Sequence, residues 1–77
     1  MNVYGLHIPE ALVSDAINKA FKSGHATLQD LEDSFRTLGV TENHKEYKNM
    51  PYHVAMRVIA RMKRNGEVNH VSSWVLN

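Results

Sequence analysis

Apolar residues early in the chain recur at helical spacing. Leu12, Val13, Ala16, Ile17, Ala20 and Phe21 form one stripe on a 3.6-residue period. Pro9 suits the first helical turn, where its missing N–H costs little. Glu10 and Asp15 near the start, and Lys19 and Lys22 near the end, are ordered as the helix dipole favours. Gly24 follows as a natural residue just past a helix C-terminus. The pattern predicts a helix over 9–23. A second stripe, Leu28, Leu31, Phe35 and Leu38, is preceded by Thr27 as N-cap. Asp30 stands where a capping box has Glu or Gln, and Gly39 marks the end.

Residues 41–50 are polar and lack an apolar period, so they read as a linker holding at most a helical turn. The third helix spans 51–65, before Gly66. Tyr52, Ala55, Met56, Ile59 and Met62, with Val58 beside them, give its buried stripe. His53, Arg57, Arg61 and Arg64 recur at i, i+4, i+8 and i+11, along one side and largely away from that stripe. Lys63 adds charge near their flank. The tail changes to a period of two, with strands over 67–70 and 73–76 and Val71 and Ser72 near the turn. Val68, Trp74 and Leu76 form its inward set. A lone hairpin is marginal in water, so this one must pack on the helices. Residues 25–27 offer a third, very short strand. Residues 1–8 are mixed and contain Gly5, an arm or a short strand.

The predicted class is α+β: mainly helical, three helices and a small β-hairpin, one domain over 1–77. Seventy-seven residues without cysteine allow neither a disulfide nor a thiolate-held metal, so packing must stabilise the fold. The apolar fraction, 43%, is too high for a disordered chain. No run approaches the ~20 apolar residues of a membrane span, and the N-terminus lacks the pattern of a secretory signal. The expectation is a cytoplasmic protein without membrane contact.

A net charge of +1 selects no partner, but its distribution is uneven. Residues 1–44 hold three Lys or Arg against six Asp or Glu, a balance of −3; residues 45–77 hold six against two, a balance of +4. Such a division can set a positive face beside a negative one. It also arises by chance in small domains, and the basic side of the third helix equally describes a solvated helix face.

The run Tyr52-His53-Val54-Ala55-Met56-Arg57-Val58-Ile59-Ala60-Arg61-Met62-Lys63-Arg64, followed by Asn65-Gly66-Glu67-Val68 and closed by Ser73-Trp74-Val75-Leu76, resembles the winged-helix branch of the helix-turn-helix superfamily. The likeness covers about residues 9–77 and lies in a basic amphipathic helix, an Asn-Gly turn and a return strand. It departs from a simple helix-turn-helix in the long 41–50 linker, and any wing is small.

The resemblance implies that the third helix is a recognition helix for double-stranded DNA and the hairpin a wing. A helix fits the major groove, where side chains near its N-terminus reach base edges. Arg57 is the candidate for a bidentate guanine contact, with Arg61 beside it at the centre of the helix. Lys63 and Arg64 suit phosphates, and Lys45 and Lys48 the DNA backbone at the start of the helix. Asn49, Tyr52 and His53 offer directional hydrogen bonds. The implied role is transcription regulation as a homodimer, with the first helix, or the arm before it carrying Val3, Tyr4, Leu6 and Ile8, as the dimer surface.

Other chemistry finds little footing. His7, His25, His44, His53 and His70 form no local metal-binding pair. No Gly-rich phosphate loop appears, Asp30 and Glu32 face different sides, and a chain this short has little interior for a water-excluding pocket. The reading is non-enzymatic, without cofactor or metal. Trp74, Met50, Met56, Met62 and Tyr52 read as packing residues. The rival reading is a protein-interaction module, phage or mobile-element encoded, that binds or inhibits a host complex through Asp30, Glu32, Asp33, Glu42 and Glu46.

Overall fold

The chain opens with a tight hairpin. Strands β1 (Asn2–Val3) and β2 (Leu6–His7) pair antiparallel, Asn2 with His7 and Val3 with Leu6. Tyr4 and Gly5 between them have φ of 49° and 83°, the positive pair that a two-residue loop of matching twist requires. Ile8 N donates to Met1 O at 2.7 Å, and Met1 N to Ile8 O at 3.0 Å. Val3 and Ile8 are buried in the core. The first eight residues are thus sealed onto the domain, and the dimer surface suggested by Val3, Tyr4, Leu6 and Ile8 loses two of its four members.

This computed structural model describes residues 1–40, 43, 44, 47–70 and 74–77, with backbone alone at 43, 44, 47 and 48. Helix α1 (Glu10–Ala20) is shorter than the predicted 9–23, because turn bonds replace helical ones after Phe21. Strand β3 (His25–Ala26) follows at once. Helix α2 (Leu28–Thr37) carries the full capping box: Thr27 Oγ1 accepts from Asp30 N at 3.1 Å, and Asp30 Oδ2 from Thr27 N at 2.9 Å. A shorter Asp thus closes the box as Glu would.

Helix α2 ends with Gly39 N bonded to Arg36 O and Val40 N to Phe35 O. Helix α3 (Met50–Arg64) ends likewise, with Gly66 N bonded to Lys63 O and Glu67 N to Met62 O. Gly39 and Gly66, at φ of 101° and 73°, take the left-handed conformation that this paired cap needs.

Between α2 and α3 the backbone forms a small ladder, β4 (Asn43–His44) with β5 (Tyr47–Lys48), where an irregular linker was expected. Polar short strands leave no hydrophobic alternation to announce them. Strands β6 (Val68–His70) and β7 (Trp74–Leu76) are antiparallel, and β3 pairs on the other side of β7, giving the order β3-β7-β6. Val71, Ser72 and Ser73 lie outside the described residues. Val68 is buried and Trp74 packs half-buried against the core. Leu76, expected inward, is 39% exposed; its register with Val68 places it at the last rung of the ladder.

The architecture is a mixed α+β fold of three helices and small antiparallel sheets, in which α2 packs on both α1 and α3. Val13, Ala16, Leu31, Phe35, Val54, Val58 and Met62 belong to one cluster of buried residues. On α3 the inward stripe is Met50, Pro51, Val54, Ala55, Val58, Ile59 and Met62. The expected stripe is therefore rotated: Tyr52 and Met56 face solvent, at 38% and 45% exposure. Apolar residues cover much of the circumference of α3. Period alone fixes the helix but not which edge of that arc meets α2, β1 and β6.

Candidate nucleic-acid interface

With one side of α3 in the core, its outer face carries Tyr52, Met56, Ala60 and Lys63 along one stripe, with Arg57 and Arg64 also exposed and His53 half-buried. Residues 50–64 contain three Arg, one Lys and no Asp or Glu. The helix begins at Asn49, itself left-handed at φ 57° and ψ 42°, whose side chain does not cap it. Glu10 lies in the first turn of α1 and Asp30 in that of α2, whereas the first turn of α3 has no acid. The positive end of its dipole therefore lacks the local carboxylate that the other helices have.

At the N-terminal half of α3, Tyr52, His53, Met56 and Arg57 line an open depression of about 320 Å³ together with Tyr4 from the β1–β2 turn. The Tyr4 ring stands edge-on to His53, with centroids 5.0 Å apart and planes at 88°, and His53 is edge-on to Tyr52 at 5.5 Å. Arg57 Cζ lies 5.9 Å from the centroid of Tyr4, over the ring, within cation–π reach. Tyr4 is a site residue that the helical pattern misses. The one signal in the sequence is Gly5 after Tyr4, a residue suited to the positive φ of a two-residue turn; the flanking strands are too short to show a pattern.

Arg61 is placed differently. Its Nη1 and Nη2 donate to Glu10 Oε1 and Oε2 at 2.9 and 3.0 Å, tying the last turn of α3 to the start of α1. That hydrogen-bonded guanidinium holds the Glu10 carboxyl below its ordinary value; the same bond pushes Arg61 up. Burial opposes both shifts and is outweighed. Lys63 and Arg64 are exposed in the last turn.

Of the residues singled out from sequence, Tyr52, His53 and Arg57 meet in the depression. Asn49 stands at the head of the same helix, Lys63 and Arg64 at its tail, and Arg61 in the pair with Glu10. Lys48 lies in β5 just ahead of α3, and Lys45 lies outside the described residues.

Of the five acids of the rival reading, Asp30 and Asp33 are engaged within α2 and Glu32 is half-buried on the same helix. Asp30 closes the cap, and Asp33 Oδ1 accepts from Gln29 Nε2 and Arg36 Nη1, both at 2.9 Å. Glu42 and Glu46 lie outside the described residues. Among the described residues no three His, Cys, Asp or Glu side chains stand close enough to share a metal ion. Nor is any described helix long and apolar enough to cross a membrane. No family model, curated protein or solved structure matches the chain.

Proposed function

We propose that the protein binds double-stranded DNA with the outer face of α3 in the major groove and the β6–β7 hairpin beside it, as a small transcription regulator of the winged-helix type. One observation carries this reading. α3 has a solvent-facing surface rich in donors, with Arg57, Lys63 and Arg64 exposed and no acid anywhere in the helix. A helix of that charge complements phosphate-lined walls, and its N-terminal side chains reach base edges. From α1 onward the order is helix, strand, helix, helix, hairpin, with the β4–β5 ladder inserted between α2 and α3 and β3 completing the sheet. Apart from that insertion and the N-terminal hairpin it is the order the winged-helix resemblance implies, and it supports the reading. Arg57 reads a base. Lys63 and Arg64 bind phosphates, as does Arg61 when it leaves Glu10. One such module covers few base pairs, so a homodimer on a two-fold site accompanies the proposal.

Two substitutions test the assignment of α3. Arg57→Ala should relax sequence preference and lose about 1–3 kcal/mol on a preferred site. Lys63→Ala should weaken all duplexes alike and lower the salt slope by about one. Negligible effects from both, in a titration that detects wild-type binding, overturn the assignment.

A second reading has its own observation. Tyr4, Tyr52 and Met56 are exposed together around the same depression, and exposed aromatic and Met side chains are enriched where proteins meet. On that reading the outer face of α3 binds a protein, and the Arg57 variant loses the partner while DNA affinity is absent throughout.

A further inference from the structure

We propose that Tyr4, at the tip of the N-terminal hairpin, is a positioning residue that aims Arg57 at a guanine, so that the turn and α3 form one base-reading site. The inference rests on the DNA-binding reading of α3 and adds to it an element outside the helix-and-wing pattern.

The first observation is the backbone. Tyr4 occupies the left-handed region at φ 49°. In a two-residue turn of this kind Asn, Asp or Gly is the usual residue, and a bulky side chain there is an outlier that the surroundings must hold in place. The ring is not there to fill the core, since Tyr4 is 43% exposed. It meets the outer face of α3 instead, edge-on to His53 and under the guanidinium of Arg57, one helical turn further along.

The second observation is how the arginines are held. Arg36 and Arg61 each pair with a carboxylate. Among the described residues neither Arg57 nor Arg64 forms an ion pair, and of these two it is Arg57 whose guanidinium lies over an aromatic ring, 5.9 Å from the Tyr4 centroid. A ring supports the plane of a guanidinium while leaving the N–H donors at its edge for another partner. Reading guanine requires just that, since N7 and O6 take two parallel N–H bonds from a guanidinium presented edge-first. An arginine without such support spreads over many rotamers and contacts phosphates as readily as bases. The Tyr4 hydroxyl is not needed for this role, whereas the ring is.

The test uses the full chain and a duplex recovered by wild-type selection, with each guanine replaced in turn by 7-deazaguanine, which lacks the N7 acceptor. Binding is titrated for wild type and for Tyr4→Phe, Tyr4→Asn, Tyr4→Ala and Arg57→Ala, with thermal midpoints alongside. Wild type should lose roughly 2- to 12-fold at one guanine, about half the free energy of a bidentate base contact because O6 remains, and Arg57→Ala should be indifferent there. Tyr4→Phe should behave as wild type. Tyr4→Asn keeps a residue the turn favours, and should fold with an unchanged or higher midpoint. It should nevertheless lose about two- to fivefold on the intact duplex, the worth of an exposed cation–π contact, with discrimination at that guanine reduced by the same factor.

If Tyr4→Asn and Tyr4→Ala discriminate as wild type does, the inference fails while the DNA reading stands. Uniform weakening on every duplex assigns Tyr4 a structural role and also overturns it, as does wild-type binding with no guanine preference. Absence of wild-type binding to any duplex removes both.

Discussion

Arg57 and Arg61 lie one helical turn apart, and their surroundings separate them. Arg61 shares two hydrogen bonds with Glu10, a residue 51 positions earlier in the chain; Arg57 faces an aromatic ring. Spacing along α3 makes the two equivalent, because neither Glu10 nor Tyr4 is near them in sequence. The Glu10–Arg61 pair has a consequence for pH. The folded-state pKa of Glu10 is lowered, so its contribution is present above the ordinary unfolded value of about 4.3 and is lost as pH falls through the folded value. Glu10→Gln should therefore be less stable than wild type near neutrality, and the gap in thermal midpoint should close as pH drops below about 4. The exposed position of Glu10 keeps the effect small and salt-sensitive. A gap unchanged down to pH ~2, beneath any ordinary carboxylate range, would remove Glu10 from the acid response.

At the scale of elements, local signals were legible where side chain and backbone act within one turn. The Thr27–Asp30 box is readable as a motif and is made in full. Thr27→Ala should cost about 1 kcal/mol in denaturant unfolding; no change would mean that water serves the first turn of α2 equally well. The glycine-ended caps at Gly39 and Gly66 are likewise marked in the chain. What the pattern misplaced was the rotation of α3, since Tyr52 and Met56 are apolar enough to pass for core. Two methionines test the corrected face. Met62, buried on the inner face of α3, should cost about 2–5 kcal/mol on replacement by Ala. Met56→Ala should stay within about 0.5 kcal/mol. The reverse ranking would restore the expected stripe. The β4–β5 and β1–β2 ladders were poorly legible, because two-residue strands give no alternation to count. Backbone pairing, not side-chain pattern, defines them.

For the whole molecule, the order of helices and of the β6–β7 hairpin followed from periodicity, and pairing of residues 25 and 26 with β7 completed the sheet. The closing of residues 1–8 onto the core did not follow, since it depends on contacts with α3 distant in sequence. It brings Tyr4 to the helix that carries the basic face and buries Val3 and Ile8 away from any dimer surface. The uneven charge along the chain acquires a location on α3, where basic residues stand without an acid in the helix. The central claim, DNA recognition by that face, is tested most directly by selecting from a random-sequence duplex library at two salt concentrations and sequencing what is bound. The account predicts recovery of a sequence motif and affinity that falls steeply as salt rises, as phosphate contacts release counterions. No binding to any duplex at low salt would contradict it.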